Sequence, residues 1–502
     1  MAYVRTVKTA SGARAVQIVH SSRRGAKDIE HIGSAHSDAD YELLLAVARQ
    51  RLVAGQGELD LGVQPPAEAG GPLAITATRM AVLTDALESI YTALGLEDVA
   101  GGDEVFRQLV LARLIEPTSK LDSLRVIEET GKVPVSYPTL KRRLSRYAES
   151  GFRQALAAAC AARADLGPAA LVLYDVSTLY FETDEGDGFR EPGYSKERRL
   201  EPQITIGLLT DASGFPLMVN AFEGNRAETK TMLPVIEAFR TSHELSDVTV
   251  VADAGMLSHN NREAIADAGL SYIIGQRLAE VPYVVEEWMK QHPGLVPDDG
   301  QTFTAKTFTG PAGARREGRI HYQYRAARAR RTLRGIDQQV TKAENAAAGK
   351  APVKRNRFLT ITGEDRVVNR DLEAKARALA GFKGYITNLL SKTATAEFVI
   401  GAYHRLWQIE KSFRMSKHDL AARPIYHRLQ DSIEAHLSVV FAALAVARRL
   451  EHLTGWSLKK FVTTARRYRE VTIRAGGHDL VAADPLPDDL AETVDTIHER
   501  RH

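Results

Sequence analysis

The chain has 502 residues, 44% apolar and 26% charged, with a net charge of +3 and a single cysteine, Cys160. This balance is that of a soluble globular protein, and the length calls for two to four structural units rather than one core. One thiol excludes an internal disulfide, MAYVRTVKTA lacks the apolar core of a signal peptide, and the apolar stretch from Leu437 to Ala447 is too short to span a bilayer. A cytoplasmic protein without a membrane partner is expected.

Residues 1–65 read as a small N-terminal unit: YVRTVKT and ARAVQIVH alternate like strands, and YELLLAVARQRL has the spacing of a helix. GVQPPAEAGGPLA follows as a linker. Helical patterns fill residues 75–165, in DEVFRQLVLARLI, PTSKLDSLRVIEETG and SYPTLKRRLSRYAESGFRQALAAACAARA. In the last of these Ser136 is placed to cap a short helix on which Lys141, Arg142, Arg143 and Arg146 crowd together. Such a helix either reads DNA or is simply the exposed member of a bundle.

The pattern then turns to strands: AALVLYDVSTLYF, QITIGLLT and FPLMVNAFEG, with DASG as the turn between the last two. ETKTMLPVIEAF reads as a helix, VTVVAD as a strand, SHNNREAIADAG as a helix capped by Ser258, and SYIIGQR as a strand. The order βββαβαβ predicts an α/β fold with a ribonuclease H-like catalytic core over residues 168–280, resumed at 380–428 by the strand FKGYITNLL and the helical TATAEFVIGAYHRLWQIEKSFRMSK. Residues 281–379 read as a β-rich basic insertion, with strands in YVVEEW, TFTAKTF, RIHYQYRAARA and RFLTITG and a basic helix near 325–348. A C-terminal helical region over 429–475, including SLKKFVTTARRYREVTI, and a poorly ordered tail over 476–502 complete the chain.

The charge is unevenly spread. From Lys306 to Arg357 there are 14 Lys or Arg against Glu317, Asp337 and Glu344, a local balance of +11 that leaves −8 for the rest of a chain totalling +3. Such a block either neutralises nucleic-acid phosphates or forms a solvated helical face.

Three carboxylates carry the chemistry. Asp175 ends LVLYD, Asp253 ends VTVVAD, and Glu410 lies in a basic amphipathic helix. Two Mg2+ ions roughly 4 Å apart need a few fixed oxygens and open positions for a nucleophile and a phosphate, which short aspartates at strand ends and a helical Glu can supply. Taken singly, each acid has a plainer reading, as a turn former or as an i,i+4 partner of Arg414. Glu182, Glu201, Glu223 and Glu228 are other acids near strands. His404, His418 and His427 invite a histidine-metal reading that oxygen-preferring Mg2+ disfavours. Trp288 either packs in a core or stacks on an unpaired base.

LYDVSTLYFE, GNRAET, VVADAGM, GYITN and YHRLWQIEKSFRMSK together resemble the DDE transposases of bacterial insertion sequences, in the cut-and-paste branch with a β-rich insertion before the final Glu; the likeness spans roughly residues 100 to 460. Tyr403, Glu410 and Lys417 fall where the family's signature helix has Tyr, Glu and Lys, while the Arg position holds Leu406 and Arg405 is one step away. At seven-residue spacing on one helix these three would share a face.

The resemblance implies an enzyme that binds terminal inverted repeats as double-stranded DNA, cuts the ends and joins them to target DNA. It implies Asp175, Asp253 and Glu410 as catalytic metal ligands, Mg2+ as cofactor with Mn2+ able to substitute, and DNA contacts from Tyr403, Arg405, Arg414 and Lys417 alongside Lys141, Arg142 and Arg143. Holding two ends implies a homodimer in the DNA complex, with the C-terminal helices as part of its interface. The alternatives are a catalytically silent DNA-binding regulator of transposase descent and a carboxylate-pair glycoside hydrolase, which the 7% aromatic content and the basic block disfavour.

Overall fold

The structure is a computed structural model that describes residues 2–9, 13–21, 27–54, 73–164, 166, 169–183, 185–193, 201–226, 230–243, 245, 247–254, 259–310, 315–352, 355–362, 365–390, 392, 394–423, 425, 427, 429–475 and 478–499. It divides into two compact units, one of Met1–Arg163, Leu179–Thr183 and Ser412–His502, the other of Ala164–Thr178 and Asp184–Lys411.

The first unit opens with an antiparallel sheet of β1 (Tyr3–Lys8), β2 (Arg14–Ser21) and β3 (Lys27–Ala35), on which α1 (Asp38–Ala54) packs. Val16, Ile18 and Ala48 form its core with Leu44 and Leu45. Gly33 is a contact glycine: a Cβ there would lie 2.7 Å from Leu44 Cδ2, so α1 could not approach the sheet as closely. Most of the expected linker lies outside the described residues, but its end runs into β4 (Ala74–Arg79). The helices follow as α2 (Ala81–Ala93), α3 (Leu96–Ala100), α4 (Glu104–Ile115), α5 (Asp122–Glu129), α6 (Tyr137–Ala148) and α7 (Ser150–Arg163). Ser136 caps α6 as its sequence position predicts, accepting from the Thr139 N–H.

The second unit is built on one eight-stranded sheet. Its strands are β5 (Ala169–Tyr180), β6 (Gln203–Asp211), β7 (Pro216–Glu223), β8 (Asp247–Ala252) and β9 (Ser271–Gln276), with α8 (Met232–Ser242) and α9 (His259–Asp267) between them, then α10 (Tyr283–Gln291), β10 (Thr302–Thr309), β11 (Arg316–Tyr324) and α11 (Ala326–Ala347). The hairpin β12 (Leu359–Thr362) and β13 (Asp365–Val368), α12 (Arg370–Ala378) and β14 (Phe382–Thr387) follow, and α13 (Ala396–His404) leads to α14 (Leu406–Arg414).

The strand order is β10-β11-β14-β9-β8-β5-β6-β7, with β5, β8 and β9 parallel and the β6–β7 and β9–β14 pairs antiparallel. Its β7-β6-β5-β8-β9 half is the ribonuclease H-like arrangement expected from the order of elements. Long apolar runs explain it: β6 is buried along almost its whole length, as a strand covered on both faces must be.

Two expectations for residues 281–379 change. YVVEEW is helical, forming the first turns of α10; Val285 is buried and Trp288, one turn on, packs against His292 and Phe303, a helical rather than a two-residue period. The strands β10 and β11 are not a separate layer but extend the central sheet through β14. Only α11, α12 and the β12–β13 hairpin enclose a core of their own, around Ile336, Val340 and Phe358.

The chain then re-enters the first unit through a π-helical turn, Met415–Asp419, and α15 (Gln430–Thr454), α16 (Leu458–Ala465), β15 (Glu470–Ala475), β16 (His478–Ala483) and α17 (Asp488–Glu499) complete it. Buried around most of its circumference, α15 packs against α2, α4, α6, α7 and α17 and ends at Gly455, whose φ of 71° suits a left-handed cap. The expected helix over REVTI is instead β15, paired with β4 and β16, and the expected loose tail is β16 and α17, whose Leu490 and Ile497 are buried. No helix among the described residues is long and apolar enough to cross a membrane.

Candidate active site

Register places the two aspartates. Leu173 of β5 pairs in parallel with Val251 of β8, and Asp253 follows Ala252 at the end of that strand. Asp175 lies two residues beyond the last paired residue of β5 and Asp253 two beyond the last paired residue of β8, so both acids leave the ladder at the same end of the parallel pair. Asp175 itself is not at a strand end, because β5 continues to Tyr180; what stops at Leu173 is its ladder with β8. Next to Asp175, the buried Tyr174 donates its hydroxyl to Thr231 Oγ1 at 3.0 Å. Its ring needs Gly207, where a Cβ would lie 2.3 Å from the Tyr174 oxygen.

Glu410 arrives on α14, where buried Ile409 anchors the helix and leaves Glu410 exposed. Asp175, Asp253 and Glu410 line one open cavity of about 560 Å³ within the second unit, together with Lys383, Tyr403, His404 and Trp407. Of the other acids considered, Glu182, Glu201 and Glu223 do not line it, Glu223 being paired with Arg226, and Glu228 lies outside the described residues, as does Ser258.

Tyr403 fixes one aspartate. Its hydroxyl donates to Asp253 Oδ1 at 2.6 Å, while its ring meets Tyr385 edge-on. Burial, then the bond to Asp253, push its pKa far above the usual phenol range, so the hydroxyl is a permanent donor. In this structure the Tyr403 hydroxyl is thus engaged with a carboxylate. Gly275 makes it possible, since a Cβ there would lie 2.6 Å from the Tyr403 oxygen.

Sequence reading missed Lys383 and Trp407. Lys383 on β14 holds its ammonium 4.2 Å from the centre of the Tyr403 ring; burial lowers its pKa, and the nearby Asp253 and Glu410 oppose that shift. The available signal was a lone lysine in the apolar strand FKGYIT. Trp407, 56% exposed on a helix whose other large apolar groups turn inward, was legible only once α14 was located. His404 pairs its Nε2 with the Tyr385 hydroxyl at 3.2 Å, and burial, followed by Lys383 and Arg328, lowers its pKa. Trp288 sits among His292 and Phe303, the packing alternative to base stacking.

The run expected to form one or two helices carrying Tyr403, Glu410 and Lys417 is broken into three segments. Arg405 caps α13, α14 restarts at Leu406, and Lys417 lies in the π-helical turn, so the seven-residue phase is interrupted twice. Arg405 and Arg414 are exposed and Lys417 is half-buried. Lys141, Arg142 and Arg143 are exposed on α6; Arg143 approaches Asp103 at 3.8 Å, and Arg142 donates to Thr139 Oγ1.

Part of the basic block is neutralised internally, Lys306 by Glu317, Arg316 by Asp267 and Arg325 by Asp299. Arg330, Arg331 and Arg334 are exposed on α11, with no ion-pair partner among the described residues.

Among the described residues, the one group of three His, Asp or Glu with ligand atoms mutually within 4.8 Å is His36, Glu116 and Glu129, in the first unit. Its carboxylates are already engaged: Arg125 reaches Glu116 at 2.7 Å and Glu129 at 2.5 Å, and Arg466 reaches Glu116 at 3.0 Å. It is an ion-pair network. Asp175, Asp253 and Glu410 line one cavity without drawing together to that spacing.

Strand order and the position of the acids at the mouth of the parallel strands define a ribonuclease H-like protein. Residues 167–446, more than half of the chain, match the family of the transposase DDE domain, and the chain belongs to that family. It is therefore a transposase, of a family that implies use of divalent metal ions. No curated protein matches it. A similar solved structure is a piggyBac transposase synaptic complex with hairpin DNA, determined by cryo-EM, at 10% identity and a TM-score of 0.36 over 77% of this chain and 70% of that one.

Proposed function

We propose that this transposase binds the terminal inverted repeats of an insertion sequence, cleaves the DNA ends and joins them to target DNA by two-metal-ion phosphoryl transfer, as a homodimer in the DNA complex. The observation that carries the reading is the meeting of Asp175, Asp253 and Glu410, from two adjacent parallel strands and a distant helix, in one open cavity.

The donor set fits Mg2+ or Mn2+, because three carboxylates offer hard oxygen atoms and the neighbouring His404 nitrogen is engaged with Tyr385. Asp175, Asp253 and Glu410 would hold the ions. Bound there, the ions would activate the attacking oxygen and stabilise the leaving one. The protein's own groups do the rest. Tyr403 holds the Asp253 carboxylate in one orientation, Lys383 offsets the repulsion of neighbouring acids, and Trp407 presents an exposed indole for a base to stack on. Arg330, Arg331 and Arg334 neutralise backbone phosphates, as do Arg405, Arg414 and Lys417 nearer the carboxylates in sequence.

The test is to incubate the protein with a labelled DNA end from the flanks of its own gene and a target duplex, with Mg2+ or with chelator, beside Asp253→Ala. Metal-dependent cutting at the repeat boundary and joining to target, both absent in the variant, are expected. Tight binding without cutting under every condition would instead favour a silent DNA-binding protein.

A further inference from the structure

A second cavity, of about 550 Å³, opens within the first unit between the end of α4, the segment that follows it and the start of α15. Arg113, Lys120 and Arg423 line it, joined by His427 and His436, and among the described residues no Asp or Glu does. Arg113 and Lys120 without a described acid beside them are unusual, because a cation taken partly out of water is normally paired.

Arg113 makes no ion pair or hydrogen bond among the described residues, and burial lowers its pKa to about 10, a large depression for an arginine. Lys120 is likewise without an ion-pair partner among them, its pKa lowered by burial and then by Lys141. Both histidines are held neutral: burial, then Lys120 and Arg113, bring His427 down to about 4, and His436 is neutral with its Nε2 3.2 Å from the Ala422 carbonyl. Arg113 and Lys120 thus give the cavity positive charge that no acid among the described residues pairs with. Ala421, on its wall, is the sole non-glycine residue with positive φ among the described residues, at 43°. Such backbone is kept only where its surroundings enforce it.

We infer that this cavity is an anion site that receives the phosphate of a nucleotide unit. Arg113 and Lys120 meet the phosphate oxygens, Ser119 and Ser432 add hydroxyl donors, and the apolar wall of Ile425 and Leu429 takes the sugar or base. The volume exceeds what a lone phosphate fills and suits a small organic anion. The phosphate chemistry stands by itself. In assigning the nucleotide to a DNA strand rather than to a free nucleotide, the inference rests on the transposase reading.

Calorimetric titration of the full-length protein, without divalent metal, tests it with three probes: inorganic phosphate, dAMP, and a short single-stranded oligonucleotide with dAMP as competitor. The expected result is saturable dAMP binding at one per chain, weaker phosphate binding, and loss of part of the oligonucleotide affinity when dAMP is present. Lys120→Ala and Arg113→Met each weaken dAMP at least tenfold while thermal melting shows an intact fold. Absence of saturable binding by phosphate and dAMP, or binding untouched by both variants, overturns the site. Saturable dAMP binding with no effect on the oligonucleotide overturns its assignment to a DNA strand and leaves a free nucleotide as the ligand. No readout here involves cleavage or the three carboxylates, so failure of this site and failure of the proposed cleavage are separately visible.

Discussion

Replacing Tyr403 with Phe separates positioning from chemistry at the carboxylate site. The substitution deletes one hydroxyl, which donates to Asp253 Oδ1 at 2.6 Å, and keeps the ring against Tyr385 and Lys383. A hydrogen bond to a charged acceptor contributes about 1.5–3 kcal/mol, but Asp253 is exposed and water replaces the lost donor, so folding stability should fall by only about 1 kcal/mol. Metal binding should suffer more, since removing a group that orients a ligand typically costs about 10–100-fold in affinity. The Mg2+ concentration for half-maximal end cleavage should therefore rise about tenfold, with most of the maximal rate recovered at saturating Mg2+. Single-turnover cleavage across a Mg2+ series, paired with thermal melting, measures both. An unchanged Mg2+ dependence, or a rate deficit that no Mg2+ concentration repairs, would refute the positioning role.

Lys383→Met removes the cation among the acids, so the metal-free protein should melt at lower temperature and gain more from added Mg2+ than wild type; an equal Mg2+ shift in both would count against its compensating role. Changing Arg330, Arg331 and Arg334 together to Ala should lower the salt slope of DNA-end binding by up to about 2.7, from roughly 0.9 per phosphate contact, and the same slope in both proteins would remove α11 from the interface. Gly275→Ala should displace Tyr403 and cost about 1–3 kcal/mol, read by denaturant unfolding, whereas a neutral effect would mean the close approach is not structural. Glu129 is pulled in two directions: burial raises its pKa, but hydrogen bonds from His31 and Ser34 and the Arg125 charge win and hold it at about 2, against an ordinary 4.5. The lowered pKa means that its contribution, about 3 kcal/mol, is complete above pH 4.5 and is lost as pH falls toward 2. Acid titration of stability should thus show a decline over this window that Glu129→Gln lacks.

How much was legible in the sequence followed from burial. Strands β5, β6, β8 and β9 announced themselves because covered strands must be apolar throughout, and an Asp closing two such runs marked the site. Strands β4 and β16 left no trace: their side chains are mostly or wholly exposed, so no alternation of apolar and polar residues exists to be read. The strand β15 was hidden behind a helical run, and its pairing with β16 and the distant β4 determines its state. YVVEEW misled because two valines outweighed the one-turn spacing of Val285 and Trp288. At the site, chain order could bring Asp175, Asp253 and Glu410 together, but not Lys383, which reaches the cavity because β14 inserts beside β9 from more than a hundred residues away. The break at Arg405 was equally invisible, since Leu406 continues a good helical pattern.

On the proposed mechanism, Asp175, Asp253 and Glu410 together hold the ions that cut DNA. Mn2+ stoichiometry by electron paramagnetic resonance on the protein bound to its DNA end, in wild type and in Asp175→Asn, Asp253→Asn and Glu410→Gln, tests it most directly. Two tightly bound Mn2+ per site in wild type, with occupancy reduced in every variant while DNA binding persists, is the predicted result. Equal Mn2+ occupancy in all four proteins would contradict the account.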